Sequence, residues 1–297
     1  MQIGILGNPG SWYFNALSRA AETRGHSCVR LDFHRLATML HRREKKSSIT
    51  GGETDLLNLD VLIVRTMPPG SLEQVVFRMN VLAQCEAAGI VVLNPPRAME
   101  CAVDKYLTTA KLLSAGLPVP ETFVCESAET ALEAFEKLGG DVVVKPIFGS
   151  EGRGILRVSD PDLALRTFRT LERIQAVLYL QKFIEHDGSD IRVLLFDGDV
   201  LGAMRRISAD DFRVNISRNG HAEKHDPTDC ELDFARQAMT ATGTRFGGVD
   251  ILYDRDGEPY VIEINAVPGW RALERVEGRD IAAEVIQRLE HEKPQKN

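Results

Sequence analysis

The sequence has no apolar run long enough to span a membrane, and residues 1–20 lack the apolar core of a leader, so a cytoplasmic, membrane-free protein is expected. Cysteine is sparse. Cys28, Cys85, Cys101, Cys125 and Cys230 are odd in number and show no CxxC spacing, which excludes a disulfide scaffold or a cysteine zinc site. No GxSxG motif or Cys/His arrangement is present, none of the seven histidines reads as part of a metal pair, and nucleophilic hydrolysis is disfavoured accordingly. Positive charge is in deficit, 36 Lys+Arg against 43 Asp+Glu, giving a net charge of -7. That balance argues against a nucleic-acid or membrane-surface binder and leaves room only for local basic patches. There is no internal repeat and no low-complexity tract.

What remains is a soluble chain of 297 residues, long enough for two or three lobes. Alternating apolar strands and helical patterns over 1–100 predict a small parallel sheet, with residues 42–58 a flexible polar loop. Gly7-Asn8-Pro9-Gly10 lacks both the GxGxxG spacing and a P-loop lysine, and reads as a substrate-facing turn. Residues 101–184 read as an α+β lobe that opens on a helix over 104–115. A further lobe covers 185–290, and 291–297 form a disordered tail.

The most informative stretch is Gly248-Val249-Asp250-Ile251 followed by Glu263-Ile264-Asn265. With Asp256-Gly257 as a two-residue hairpin turn, Asp250 falls opposite Glu263 on the closely spaced kind of ladder pair. Asn265 shares that face, Ile262 and Ile264 point into a core, and Pro259 sits where its missing N–H costs nothing. Two facing carboxylates repel unless a cation lies between them, so Asp250, Glu263 and Asn265 are candidate ligands for Mg²⁺ or Mn²⁺. An exposed acidic hairpin is the bland alternative, and the flanking apolar residues weigh against it.

Phosphate handling is the second theme. Gly149, Ser150, Gly152 and Gly154 lie in a loop between apolar strands, where backbone N–H groups can turn toward an anion. Lys145, at the end of the preceding strand, supplies a point charge. Lys105 stands at a helix start, where a cation is unfavourable unless an anion is nearby. The strand over 178–184 ends polar, so Lys182, Phe183 and Ile184 offer an apolar slot with backbone groups for a base. Across the Asp197-Gly198 turn the register puts Asp190 opposite Arg205 with Arg192 on the same face. These arginines form either a structural ion pair or a fork for a carboxylate or phosphoryl group. Arg213, Asn215 and Arg218 add donors in the following loop.

Taken in order, Asp104-Lys105, Lys145 with Gly149 to Gly154, Gly188-Ser189-Asp190-Ile191-Arg192, Phe212-Arg213-Val214-Asn215, Gly248-Val249-Asp250-Ile251 and Glu263 to Gly269 resemble the ATP-grasp superfamily, and more narrowly RimK-type α-L-glutamate ligases. The resemblance implies an α/β and α+β chain: a Rossmann-like pre-ATP-grasp domain over 1–100, then two ATP-grasp lobes over 101–184 and 185–290. It implies ATP and two Mg²⁺ or Mn²⁺ ions held by Asp250, Glu263 and Asn265. Lys105, Lys145, Arg213 and Asn215 would lie by the phosphates, Lys182–Phe183–Ile184 by adenine, and Asp190 by the ribose, with Arg192, Arg205 and Arg218 catalytic. The implied reaction makes an acyl phosphate that an amine converts to an amide. The implied partners are an amino acid, glutamate first, and a carboxylate acceptor such as a cofactor precursor or peptide C-terminus. A homo-oligomer, dimer or tetramer, is compatible. A ligase for another amino acid or peptide and a non-catalytic nucleotide-binding module stay open. Lys182 departs from the glutamate usual at the hinge, and Arg65 to Gly70 read as an acceptor loop of the subgroup.

Overall fold

The computed structural model describes residues 1–43, 46–149, 152–208 and 221–292. In chain order the first elements are β1 (Gln2–Leu6), α1 (Trp12–Thr23), β2 (Ser27–Leu31), β3 (Leu36–His41), β4 (Lys46–Gly51), β5 (Thr54–Asp55), β6 (Val61–Val64), α2 (Leu72–Ala87) and β7 (Val91–Leu93). Then follow α3 (Pro96–Val103), α4 (Lys105–Ser114), β8 (Thr122–Cys125), α5 (Ala128–Lys137), β9 (Val142–Lys145), β10 (Leu156–Val158), α6 (Pro161–Arg173) and β11 (Leu178–Lys182). The chain closes with β12 (Ser189–Phe196), β13 (Asp199–Ile207), β14 (His221–Lys224), α7 (Asp229–Thr242), β15 (Phe246–Tyr253), β16 (Pro259–Asn265), α8 (Arg271–Glu277) and α9 (Ile281–Glu290). No helix among the described residues is long and apolar enough to cross a membrane.

These elements form two compact units. One gathers Met1–Glu100, Gly243–Phe246 and the chain from Ala266 onward; the other holds Cys101–Thr242 and Gly247–Asn265. The expected third lobe over 185–290 is therefore divided, its last helices grouping with the N-terminal sheet.

In the first unit β2-β1-β6-β7 make a parallel sheet. Its central strands are apolar on both faces, as a sheet covered on both sides requires, and Val61 to Val64 are all buried. Ser11 caps α1, whose Ala16, Leu17, Ala20 and Ala21 form the buried stripe. Residues 42–58 depart from the expected loop: β3 pairs with β4 and β4 with β5. Ile49 and Leu56, 1% and 0% exposed, anchor this small sheet, and two buried side chains among polar neighbours are too thin a periodic signal to read in sequence. The tail also departs, because Glu292 receives Arg245 at 2.9 and 2.5 Å; positions 293–297 lie outside the described residues.

The second unit holds the antiparallel sheets β10-β9-β11-β8 and β14-β13-β12-β15-β16. Phe135, Val142, Val144, Phe168 and Leu180 pack the first against α5 and α6. Val193, Leu195, Met239, Val249 and Ile264 join α7 to the second. Asp197 and Gly198 turn the β12–β13 hairpin with φ of 50° and 84°, the pair of left-handed residues that a two-residue turn demands.

Asn94 carries the connection between distant parts of the first unit. Its amide nitrogen donates to the carbonyls of Phe246 (2.6 Å) and Ala266 (2.5 Å), and its oxygen accepts from the backbone N–H of Arg245 (2.9 Å) and Phe246 (2.8 Å). All four hydrogen-bonding positions of a 1% exposed side chain are filled. Asn94→Ala strands these buried groups and is expected to destabilise the protein by on the order of 3 kcal/mol in urea denaturation. A loss below about 1 kcal/mol would contradict this role.

Candidate active site

Asp250 does pair with Glu263, but two departures from the expected hairpin cancel to bring them together. The turn holds three residues, Arg255, Asp256 and Gly257, closed by Asp254 N–H to Glu258 O at 3.0 Å, with Gly257 left-handed at φ 87°. That shifts the register by one residue. A bulge at Asp250/Ile251 shifts it back. The extra residue is Ile262, which lines the cleft instead of entering the core; Val261, 1% exposed, takes the core position.

A second bulge corrects the other expected pairing. Between Leu194 and Leu195 the β12–β13 ladder slips by one residue, so Asp190 faces Arg206 and not Arg205. Arg206 is 3% exposed and binds Asp190 through both arms, Nε to Oδ1 at 2.6 Å, while its terminal nitrogen stands 2.9 Å from Asp250. Arg192 forks onto Asp250 at 2.7 and 2.6 Å. Burial works to raise the Asp250 carboxyl, but Arg192 and Arg206 outweigh it and hold it below the ordinary carboxylate range. Burial pushes Asp190 up to about 6 against the pull of Arg206. Arg205, displaced by the slip, bonds Asp187 (2.5 Å) and Ser189 (3.0 Å) at the edge of the unit. Neither Arg192 nor Arg205 presents a free fork to a substrate.

A cavity of about 130 Å³ brings the expected residues together: Lys145, Gly152, Lys182–Phe183–Ile184, Asp190, Asp250 and Glu263 all line it. A smaller space of about 30 Å³ beside it is bounded by Lys105, Lys145, Gly149, Glu263 and Asn265. At the hinge, the N–H groups of Lys182 and Phe183 donate to Glu121 O (2.8 Å) and Asp141 O (3.0 Å). The Lys182 ammonium lies 3.4 Å from Glu121, an exposed pair of little energetic weight. Arg157 stacks over the Phe183 ring at 3.5 Å.

The glycines divide their work. A side chain at Gly149 would come within 3.2 Å of Pro146, and one at Gly154 within 3.4 Å, so both pack the neck of the loop. Gly152, left-handed at φ 68°, is the one that lines the cavity. Lys105 donates to Gly149 O at 2.8 Å and Lys145 to Gln181 Oε1 at 2.6 Å. Burial lowers Lys145 to about 8, with Glu263 opposing and Lys105 assisting, and burial also lowers Lys105. Glu263 accepts from the Asn265 amide at 3.0 Å. Ser150, Arg213, Asn215 and Arg218 lie outside the described residues. Sequence reading passed over Gln181, a lone amide in an apolar strand, and Arg206, hidden by the register slip. Arg65 is not an exposed acceptor residue: it is buried between the Tyr13 and Trp270 rings, 4.7 and 4.3 Å from their centroids, and donates to Pro268 O at 2.7 Å.

This arrangement defines an ATP-grasp fold, and comparison with known proteins agrees. Solved structures of the ATP-grasp ligase PsnB with its minimal precursor (TM-score 0.76, 24% identity, 97% of both chains) and of a RimK domain protein from Sphaerobacter thermophilus (TM-score 0.75, 22% identity, 97% of this chain and 98% of that one) share it. Residues 1–99 match the RimK PreATP-grasp domain and residues 102–289 the RimK-like ATP-grasp domain, so the chain belongs to the RimK-type ATP-grasp family, enzymes that form C–N bonds. The chain is 36% identical over 266 residues to the tetrahydromethanopterin:α-L-glutamate ligase of Methanosarcina acetivorans, covering 84% of this chain and 82% of that one. It is 30% identical over 280 residues to a probable α-L-glutamate ligase of Haemophilus influenzae, covering 92% and 93%.

Lys145 gives the site a pH signature. Its cation is expected from the sequence to bind phosphates, and its lowered pKa of about 8 removes that charge as pH rises above that value. Nucleotide affinity is expected to fall by up to about tenfold per pH unit above 8, with proton uptake on binding. Calorimetry of ADP in buffers of different ionisation enthalpy measures both quantities. Lys145→Met should weaken binding and flatten the profile; an unchanged profile in the variant would contradict the assignment.

Proposed function

We propose that this enzyme joins the amine of L-glutamate to a carboxylate-bearing acceptor at the expense of ATP. The observation that carries the reading is the single cavity that unites the hinge, Lys145, Asp190 and Glu263. The similarity to α-L-glutamate ligases supports the choice of amino acid.

In this reaction an acceptor carboxylate oxygen takes the γ-phosphoryl group and ADP leaves. The amine then attacks the acyl carbon, a C–N bond forms as phosphate departs, and the nitrogen loses a proton. Lys105 and Lys145 bind phosphate oxygens and stabilise the charge that develops on transfer. Lys105 would exchange Gly149 O for a phosphate; Gly152, Ser150, Arg213 and Asn215 remain the further candidates for phosphate contact from the sequence. Among the hinge amides, that of Ile184 has no acceptor among the described residues and is assigned to the base, with Asp190 toward the ribose.

The donor set fits a hard divalent cation, since Glu263 and Asn265 offer only oxygen ligands and lie against both lysines. No cluster of three or more His, Cys, Asp or Glu is present among the described residues, so Mg²⁺ or Mn²⁺, one ion or two, would complete its shell with phosphate oxygens. When bound, the cation supplies charge neutralisation at the phosphates. Asp250 joins as a ligand to the extent that Arg192 and Arg206 yield an oxygen. Arg192 is thereby a positioning residue for Asp250, and Arg218 is the remaining candidate for contact with substrate.

ADP release should require glutamate and an acceptor together, and the product should gain one glutamyl residue by mass spectrometry. A panel of pterin-type carboxylates and glutamate-ended peptides supplies the acceptors. ADP release that needs no glutamate, or that proceeds equally with neutral amino acids, would overturn the reading.

A further inference from the structure

The chain is acidic overall, yet one face of the first unit gathers four arginines around an open groove of about 480 Å³. Arg19 stands on α1 one turn pair along from Trp12, and Arg271 and Arg275 lie on α8, with Arg279 just past the left-handed turn at Gly278 (φ 68°). All four are exposed. The two acids of the groove are engaged with backbone: Glu274 accepts from Ile281 N–H at 3.0 Å, and Asp280 caps α9 by accepting from Ala283 N–H at 2.9 Å. Arg279 has a carboxylate partner in Glu284, at 2.9 and 2.7 Å. Arg19, Arg271 and Arg275 have none among the described residues, and Arg271 stacks at 5.6 Å over the Trp12 ring that forms one wall.

Guanidinium groups held together without matching carboxylates repel one another, and an anion in the groove reverses the sign of that interaction. The arginine fork matches the paired oxygens of carboxylate and phosphate, whereas a neutral ligand would leave the repulsion in place. The volume suits a small molecule, and the indole face offers a flat surface beside the charges.

We infer that this groove is a binding site for a small polyanion held by its arginine forks. Its ligand is a molecule with at least two anionic groups, phosphates or carboxylates.

The test uses pyrophosphate and tricarballylate as probes, titrated into the full chain with Mg²⁺ and saturating ADP so that the nucleotide cavity is filled, and followed by calorimetry and tryptophan fluorescence. Binding of at least one probe, weakened by at least about tenfold in the double variant Arg271→Ala/Arg275→Ala, is expected. The probe that binds more tightly identifies phosphate or carboxylate as the preferred anion. Circular dichroism and ADP affinity check that the variant is folded; if it is not, Arg271→Lys/Arg275→Lys, which keeps charge but loses the fork, takes its place with a smaller loss. No binding of either probe, or equal binding by wild type and variant, would overturn the site.

Discussion

One rung of the β15–β16 ladder sets the chemistry of the second unit. Asp250 and Glu263 are direct neighbours across that rung, and two carboxylates so placed must each find positive charge. They find it differently. Asp250, 3% exposed in the cavity wall, is neutralised by Arg192 and Arg206. Glu263 is half-buried, faces two lysines whose own charge is weakened by burial, and stands where the cavity opens. The first carboxylate builds the wall of the cavity; the second is the one that meets the cation in the proposed reading.

The arginines of the wall show why that division is stable. Removing one partner from a buried ion pair leaves an uncompensated charge, a loss on the order of 3–5 kcal/mol, so Asp190, Arg206, Asp250 and Arg192 hold one another in place. The rigid wall supports the hinge and the lysines around one cavity. Lys105 and Lys145 donate to Gly149 O and Gln181, the partners that phosphate oxygens would replace in the proposed reading. In the first unit the same economy appears in Asn94, a single amide that satisfies four backbone groups of distant segments.

Much of this was legible in the residues. The Asp197-Gly198 turn, the helix beginning at Asp104, and the cavity residues Lys145, Lys182 to Ile184 and Asp190 follow from turn chemistry, capping and motif order, whereas the facing pair of Asp250 and Glu263 was reached only because the longer turn and the bulge cancel. The two bulges were not. An inserted residue such as Ile262 or Leu201 has no compositional mark, since its neighbours are equally apolar, yet it moves every later pairing by one. That is why Arg205 was expected where Arg206 stands. The β3–β4 hairpin escaped notice because two buried anchors in a polar stretch do not make a period. The groove on α1 and α8 escaped because residues more than 250 positions apart contribute to it.

The division of roles between the two facing carboxylates is tested most directly by calorimetric titration of ADP with and without Mg²⁺ in wild type and Glu263→Gln. The substitution removes the open negative charge and leaves the Asp250 wall intact, so the Mg²⁺ enhancement of ADP affinity should fall by at least about tenfold while metal-free ADP binding is retained. A Glu263→Gln protein that keeps the full Mg²⁺ enhancement would contradict the account.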